Sequence, residues 1–218
     1  MSDIIIRIKD DTTVVLEEHT DGIIKQKNIN LSDLAECISD SISGGVLSSG
    51  LLPQNCLSYG YNTDTGSHYV VLEYPEKSAN VTYMKTLYKD LSIPKLVFGF
   101  VIIGQEIQKV NIGVVANKKL TEKTKMYIYP FSNVSEFYLC TGSNALPKIK
   151  NFTGLTNLAR FILELPDNDD HYNSEKNQLA LGHRDLLEHM TDKSTEYYYK
   201  KILLPMQRKT LSDFIKAV

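Results

Sequence analysis

Leu96-Val97-Phe98-Gly99-Phe100-Val101-Ile102-Ile103, then Gly104-Gln105-Glu106, then Val110-Asn111-Ile112-Gly113-Val114-Val115, is the stretch on which the fold turns. Two apolar runs rich in branched and aromatic residues flank a Gly-led turn, and that pattern predicts a β-hairpin. The run from Leu96 to Gly104 is far shorter than the roughly 20 apolar residues that span a bilayer, so it reads as a buried strand. Pro94 opens it. Upstream, Tyr69-Val70-Val71-Leu72 and Val81-Thr82-Tyr83-Met84 predict two more strands; downstream, Lys125-Met126-Tyr127-Ile128-Tyr129 predicts another. Past Cys140 the period changes. Leu155, Leu158, Ala159, Ile162 and Leu163 have helical spacing, a second helical pattern runs around Leu179, Leu186, Leu187 and Met190, and Leu211-Phe214-Ile215 predicts a short final helix. Strands first and helices afterwards predict an α+β domain, an antiparallel β-meander followed by C-terminal helices.

The N-terminal part reads as an appended element. Ile4-Ile5-Ile6-Arg7-Ile8 and Val14-Val15-Leu16 flank Lys9-Asp10-Asp11-Thr12, a hairpin signature. Asn30 or Ser32 can cap a helix through Leu31, Leu34, Ala35 and Ile38, which Gly44-Gly45 would end. Ser41 to Gly66 is rich in Ser, Gly, Asn and Pro, so a flexible connection is expected there. The expected organisation is therefore residues 1–60 as a β-hairpin and helix extension, and 61–218 as the main domain.

With 218 residues the chain is long enough to bury a core without a metal or disulfide staple. Its 23% charged and 42% hydrophobic residues are those of a globular protein. A net charge of −2 argues against general nucleic-acid binding. Cys37, Cys56 and Cys140 form neither a CxxC pair nor a disulfide framework, so no metal site and no cofactor is expected. Met1-Ser2-Asp3-Ile4 has no signal-peptide pattern, and with three scattered cysteines the expected compartment is the reducing cytoplasm.

The chemistry concentrates in Tyr129-Pro130-Phe131-Ser132-Asn133-Val134, with Cys140 seven positions beyond Asn133. A thiolate can carry an acyl group as a thioester, and a fixed carboxamide can donate to the oxyanion that forms when the acyl group moves. Cys140 lies where the apolar Phe137-Tyr138-Leu139 opens into Thr141-Gly142-Ser143-Asn144. A buried cysteine acting as a small hydrophobe is the competing reading.

The order of these parts resembles the ubiquitin-conjugating-enzyme (UBC) superfamily, and within it the bacterial branch called prokaryotic family D. The resemblance is carried by the Pro94-Lys95-Leu96-Val97-Phe98 hairpin start, the strand Lys125 to Tyr129, the element Pro130-Phe131-Ser132-Asn133-Val134 and the segment Cys140-Thr141-Gly142. It covers residues 94 to 147, about a quarter of the chain. It implies a UBC-like fold, Cys140 as the thioester-forming nucleophile, and Asn133 as the oxyanion donor. Pro130 would shape the turn that aims Asn133, with Ser132 and Gly142 in the supporting loop. The implied partners are a ubiquitin-like protein and an activating-type enzyme. The histidine of the superfamily's His-Pro-Asn motif is absent, Phe131 or Tyr129 standing near its place. The Asn-to-Cys spacing is about one residue shorter than the eukaryotic pattern, and no Trp follows the cysteine.

The expected function is a ubiquitin-like-protein conjugating enzyme of a bacterial or phage-borne system, and the alternative is a catalytically inactive UBC-like adaptor in a mobile-element or plasmid system. His171 and His183 are candidates to assist the thiol. Asp167-Asn168-Asp169-Asp170 lacks the Gly and Glu of a calcium loop and reads as a solvated loop. Gly182-His183-Arg184-Asp185 reads as a helix start, and Asp185 and Glu188 as surface charges. Tyr197-Tyr198-Tyr199 reads as a core anchor ahead of a base-stacking platform. Ser143 has no Gly-x-Ser-x-Gly context, which leaves no case for a serine hydrolase.

Overall fold

The structure is a computed structural model that describes residues 3–9, 13–20, 23–43 and 48–218. Contacts divide the chain into two compact units, Met1–Ser49 and Gly50–Val218. In the first, β1 (Asp3–Ile8), β2 (Thr13–Thr20) and β3 (Ile23–Asn30) form an antiparallel sheet in that order, followed by α1 (Leu31–Ser43). The expected hairpin and helix are both there; the turn residues 10–12 and the Gly44-Gly45 stop lie outside the described residues. The third strand has no apolar alternation because it is almost wholly exposed. It is held through its partner instead: Lys25 faces Glu18 in the register, and Gln26 Nε2 donates to Glu17 Oε1 at 2.8 Å.

The second unit begins with β4 (Cys56–Asn62) and β5 (Ser67–Glu73), which pair antiparallel. The expectation of a flexible connection through residue 66 is therefore corrected. Cys56–Asn62 is an edge strand whose Tyr59 and Cys56 pack on the core while Leu57 and Tyr61 are exposed and Ser58 and Asn62 half-buried. Its Ser-Gly-Asn composition reflects that half-solvated edge. After β6 (Ser78–Tyr83) and β7 (Thr86–Ser92) come β8 (Leu96–Ile103) and β9 (Glu106–Val115), the hairpin expected at residues 96–115, in register from Leu96↔Val114 to Ile103↔Glu106. Next are β10 (Lys125–Tyr127), β11 (Val134–Ser135), β12 (Tyr138–Leu139), α2 (Leu155–Leu163), β13 (Pro166–Asp167) and α3 (His183–Met190). The chain closes with α4 (Thr195–Tyr197), a π-helical turn Tyr198–Ile202, β14 (Pro205–Thr210) and α5 (Leu211–Ala217).

The main sheet runs β11-β12-β9-β8-β5-β4, and β10 bridges β9 to β14. The segment after Cys140 is thus not purely helical. β14 is a polar, largely exposed strand whose sequence Pro205-Met206-Gln207-Arg208-Lys209-Thr210 carries no period-two signal. The second helical pattern is also shorter than expected, since α3 starts at His183 and Leu179 is exposed ahead of it.

The continuity of the apolar runs in β8 and β9 has a simple cause: both faces of the sheet are covered. One face carries Val70, Leu72, Phe98, Phe100, Ile112 and Val114 against α2, α3 and the π turn, through Leu155, Leu158, Leu186, Leu187 and Tyr198. The other carries Val71, Val97 and Val115 against Met126, Phe137, Leu211 and Phe214. On that second face Gly113 leaves room for Phe214 and Met126, where a Cβ would collide. Tyr198 is fully buried, and Tyr199 Oη accepts from Lys95 N and donates to Val115 O, so the tyrosine run anchors the core.

Between β5 and β8 the chain leaves the main sheet. β6 and β7 form a separate hairpin, joined by β13, which runs parallel to β6 with Pro166↔Thr82 and Asp167↔Tyr83. That small sheet carries the segment after α2 back towards Cys140.

Candidate active site

The seven-residue spacing between Asn133 and Cys140 has a structural meaning. β11 and β12 form a tight hairpin with Val134↔Leu139 and Ser135↔Tyr138 as partners. One step further along the same ladder, Asn133 faces Cys140, and Cys140 N donates to Asn133 O at 2.8 Å. The hairpin is seated by Tyr138 against Asn111 of β9, by Ile112 N donating to Phe137 O, and by half-buried Lys176, whose Nζ donates to Val134 O at 2.8 Å.

The approach to Asn133 is closely packed. Pro130, Phe131 and Ser132 are buried. Phe131 stacks edge-on against Tyr129 at 5.4 Å and Tyr198 at 6.2 Å. Asn133 then takes a φ of +60°, a left-handed conformation that Asn tolerates better than most residues. That turn sends the chain from the core into the hairpin. Beyond Cys140, Gly142 at φ +58° and a bond from Asn144 Nδ2 to Thr141 O at 2.9 Å shape the return turn.

An open cleft is lined by Asn133, Cys140, Gly142, Asn144, Asp167 and Asp170, among others. The Asn133 carboxamide donates from Nδ2 to Asp167 Oδ1 at 2.8 Å, and Asn133 N donates to Asp170 O at 2.7 Å. Burial raises the Asp167 carboxyl from its ordinary 3.8 to about 6, although the Asn133 bond pulls it down. The buried Ser132 hydroxyl pulls in the same direction, even though its Oγ has no hydrogen bond of full geometry. A carboxylate poised near neutrality beside a half-buried thiol and a held carboxamide is a set capable of acyl transfer to an amine.

The structure therefore brings together Cys140, Asn133 and Gly142 on the cleft, with Pro130 and Ser132 in the buried approach to it. Neither candidate histidine joins them: His171 is exposed, His183 is buried, and neither lines the cleft. Asp167 is the residue that sequence reasoning missed. The reading of residues 167–170 as a solvated loop is corrected at its first residue, which is a half-buried strand residue with Met84 N donating to its carbonyl. The available signal was Leu165-Pro166 ahead of it, an apolar lead into an otherwise acidic run. Asp185 and Glu188 are exposed on α3, as expected. Among the described residues no group of three or more His, Cys, Asp or Glu could hold a metal ion, and no helix is long and apolar enough to cross a membrane.

Fold and cleft define an α+β domain with a thiol, a carboxamide and a carboxylate on one opening. The model of prokaryotic E2 family D matches residues 31–206, and the chain belongs to that family. It is thereby related to ubiquitin-like conjugation systems of prokaryotes. No curated protein and no solved structure matches the chain.

Proposed function

We propose that the chain is a conjugating enzyme that carries a ubiquitin-like protein as a thioester on Cys140 and transfers it to an amine. The observation that carries this reading is the Asn133–Asp167 hydrogen bond in the cleft that Cys140 lines. The meander β4-β5-β8-β9 with helices after the cysteine supports a UBC-like fold. Protein B of PRTRC systems is the family member that the Pro-Phe-x-Asn-Val and Cys-x-Gly elements resemble, which supports a bacterial or phage-borne mobile-element setting.

In this reading the partners are a ubiquitin-like protein and an activating-type enzyme, and the reaction takes place in the cytoplasm. The amine nitrogen attacks the thioester carbonyl carbon, and the carbonyl oxygen becomes an oxyanion. Asn133 Nδ2 has two N–H groups: one is given to Asp167 and the second serves the oxyanion. The C–S bond then breaks, Cys140 leaves as thiolate, and the amine's proton passes to the Asp167 carboxylate. Phe131, packed on Tyr129 and Tyr198, fixes the loop where the superfamily uses a histidine. Residues 1–49 form a separate unit that serves as a docking extension.

The test is intact mass without reductant, after mixing with the neighbouring activating enzyme, ubiquitin-like protein and ATP. A thiol-reversible adduct on the wild type and none on Cys140→Ala supports the reading. No adduct, with the partners active on their own, leaves an adaptor that binds without chemistry.

A further inference from the structure

His183 is an enclosed imidazole in the second unit. Its side chain is wholly inaccessible to solvent, at the first position of α3. Tyr172 stacks parallel on it with centroids 4.6 Å apart, and Tyr83 meets it edge-on at 4.6 Å. Its Nδ1 lies 3.2 Å from Asn168 O, while Nε2 is buried with no partner. Burial holds it below the ordinary histidine range, and Lys176 adds to that; the Asn168 carbonyl and the Asp169 carboxylate 3.8 Å away oppose it. A neutral imidazole can donate to Asn168 O only with its proton on Nδ1.

The bond matters because of where it falls. Four consecutive residues are each pinned by a different group. Met84 N donates to Asp167 O, His183 Nδ1 reaches Asn168 O, Tyr83 Oη donates to the Asp169 carboxylate at 2.9 Å, and Asn133 N donates to Asp170 O. Tyr83 is itself held under the Arg184 guanidinium, 5.0 Å from the ring centroid. Three of the four, Asp167, Asn168 and Asp170, line the cleft. His183 ties the middle of this segment to the start of α3.

We infer that His183 is a positioning residue: as a neutral Nδ1–H tautomer it clamps Asn168 O, and so sets Asp167 and Asp170 O against Asn133. Its catalytic consequence rests on the function proposed above; its geometric consequence does not. His183→Phe keeps an aromatic ring between Tyr172 and Tyr83 and deletes the donor. His183→Asn supplies an amide N–H near the Nδ1 position and cannot titrate.

The experiment is backbone amide exchange on the full chain, with imidazole ¹⁵N shifts of the wild type as a measurement that needs no variant. The wild type is expected to show Nδ1 protonated and Nε2 bare. In His183→Phe the Asn133 amide is expected to exchange about tenfold faster or more, while the amides of Phe98 and Ile112 in the central sheet change less than twofold. His183→Asn is expected to keep Asn133 close to wild type. An Nε2–H tautomer, an unchanged Asn133 amide in His183→Phe, or equal acceleration everywhere would each overturn the inference. If wild-type Cys140 loads, His183→Phe is expected to load normally and discharge to lysine about tenfold more slowly; loading and discharge falling in parallel would also overturn it. If the wild type never loads, the proposed function fails and the exchange and tautomer results still decide the clamp.

Discussion

Asp167→Asn should make the protein more stable and less active at the same time. The folded state raises this carboxyl from 3.8 to about 6, so folding favours its neutral form. Below pH 3.8 both folded and unfolded chains hold the proton and nothing is lost. Between 3.8 and 6 the unfolded chain ionises first, and above 6 the folded state carries the full cost of a half-buried charge. The difference of about 2 units corresponds to an upper bound of about 3 kcal/mol at pH 7.5, at 1.36 kcal/mol per unit. An Asn side chain keeps an oxygen to accept from Asn133 Nδ2 and carries no charge. Urea unfolding of wild type and Asp167→Asn at pH 7.5 and pH 4 is the assay. The variant should gain about 1–3 kcal/mol at pH 7.5, and the gap should shrink at pH 4. A variant less stable than wild type at pH 7.5, or a gap that widens on acidification, would refute the assignment of a strained carboxylate.

Discharge of a thioester to lysine should rise with pH through an inflection near 6 in the wild type, and Asp167→Asn should lose that inflection and about 10²–10⁴ in rate. Asn133→Gly accepts the φ of +60° and deletes the carboxamide; loading measured by intact mass should persist while discharge falls about 10²–10³. Phe131→Ala empties a buried position between Tyr129, Tyr198 and His183, and chemical denaturation should show a loss of about 3–5 kcal/mol. Gly113→Ala pushes a methyl into Phe214 and Met126, and a loss of about 1–3 kcal/mol measured the same way is expected.

What was legible in the sequence tracks how each residue's environment constrains composition. The β8–β9 hairpin could be read because both its faces are buried, which forces long apolar runs around the Gly104 turn. α2 was equally readable, since Leu155, Leu158, Ala159 and Ile162 face one core at helical spacing. β3, β7 and β14 were not, because largely exposed strands are chosen by their partners' backbones and leave little apolar period behind. The candidate site divides the same way. Asn133 and Cys140 stand close in sequence because they sit opposite one another across a short hairpin. Asp167 joins them only through β13 lying parallel to β6, a contact across some 84 residues that no local pattern records. Its acidic neighbours disguised it as solvent-facing.

In the proposed reaction the Cys140 sulfur carries the modifier. The most direct measurement replaces it with an oxygen: Cys140→Ser, loaded with the activating enzyme, ubiquitin-like protein and ATP, and followed by intact mass. The expected product is an adduct of the modifier's mass minus one water, resistant to thiol reductant, released by hydroxide, and mapped to residue 140 by peptide fragmentation. An adduct at any other residue, or identical thiol-labile loading of wild type and Cys140→Ser, would contradict it.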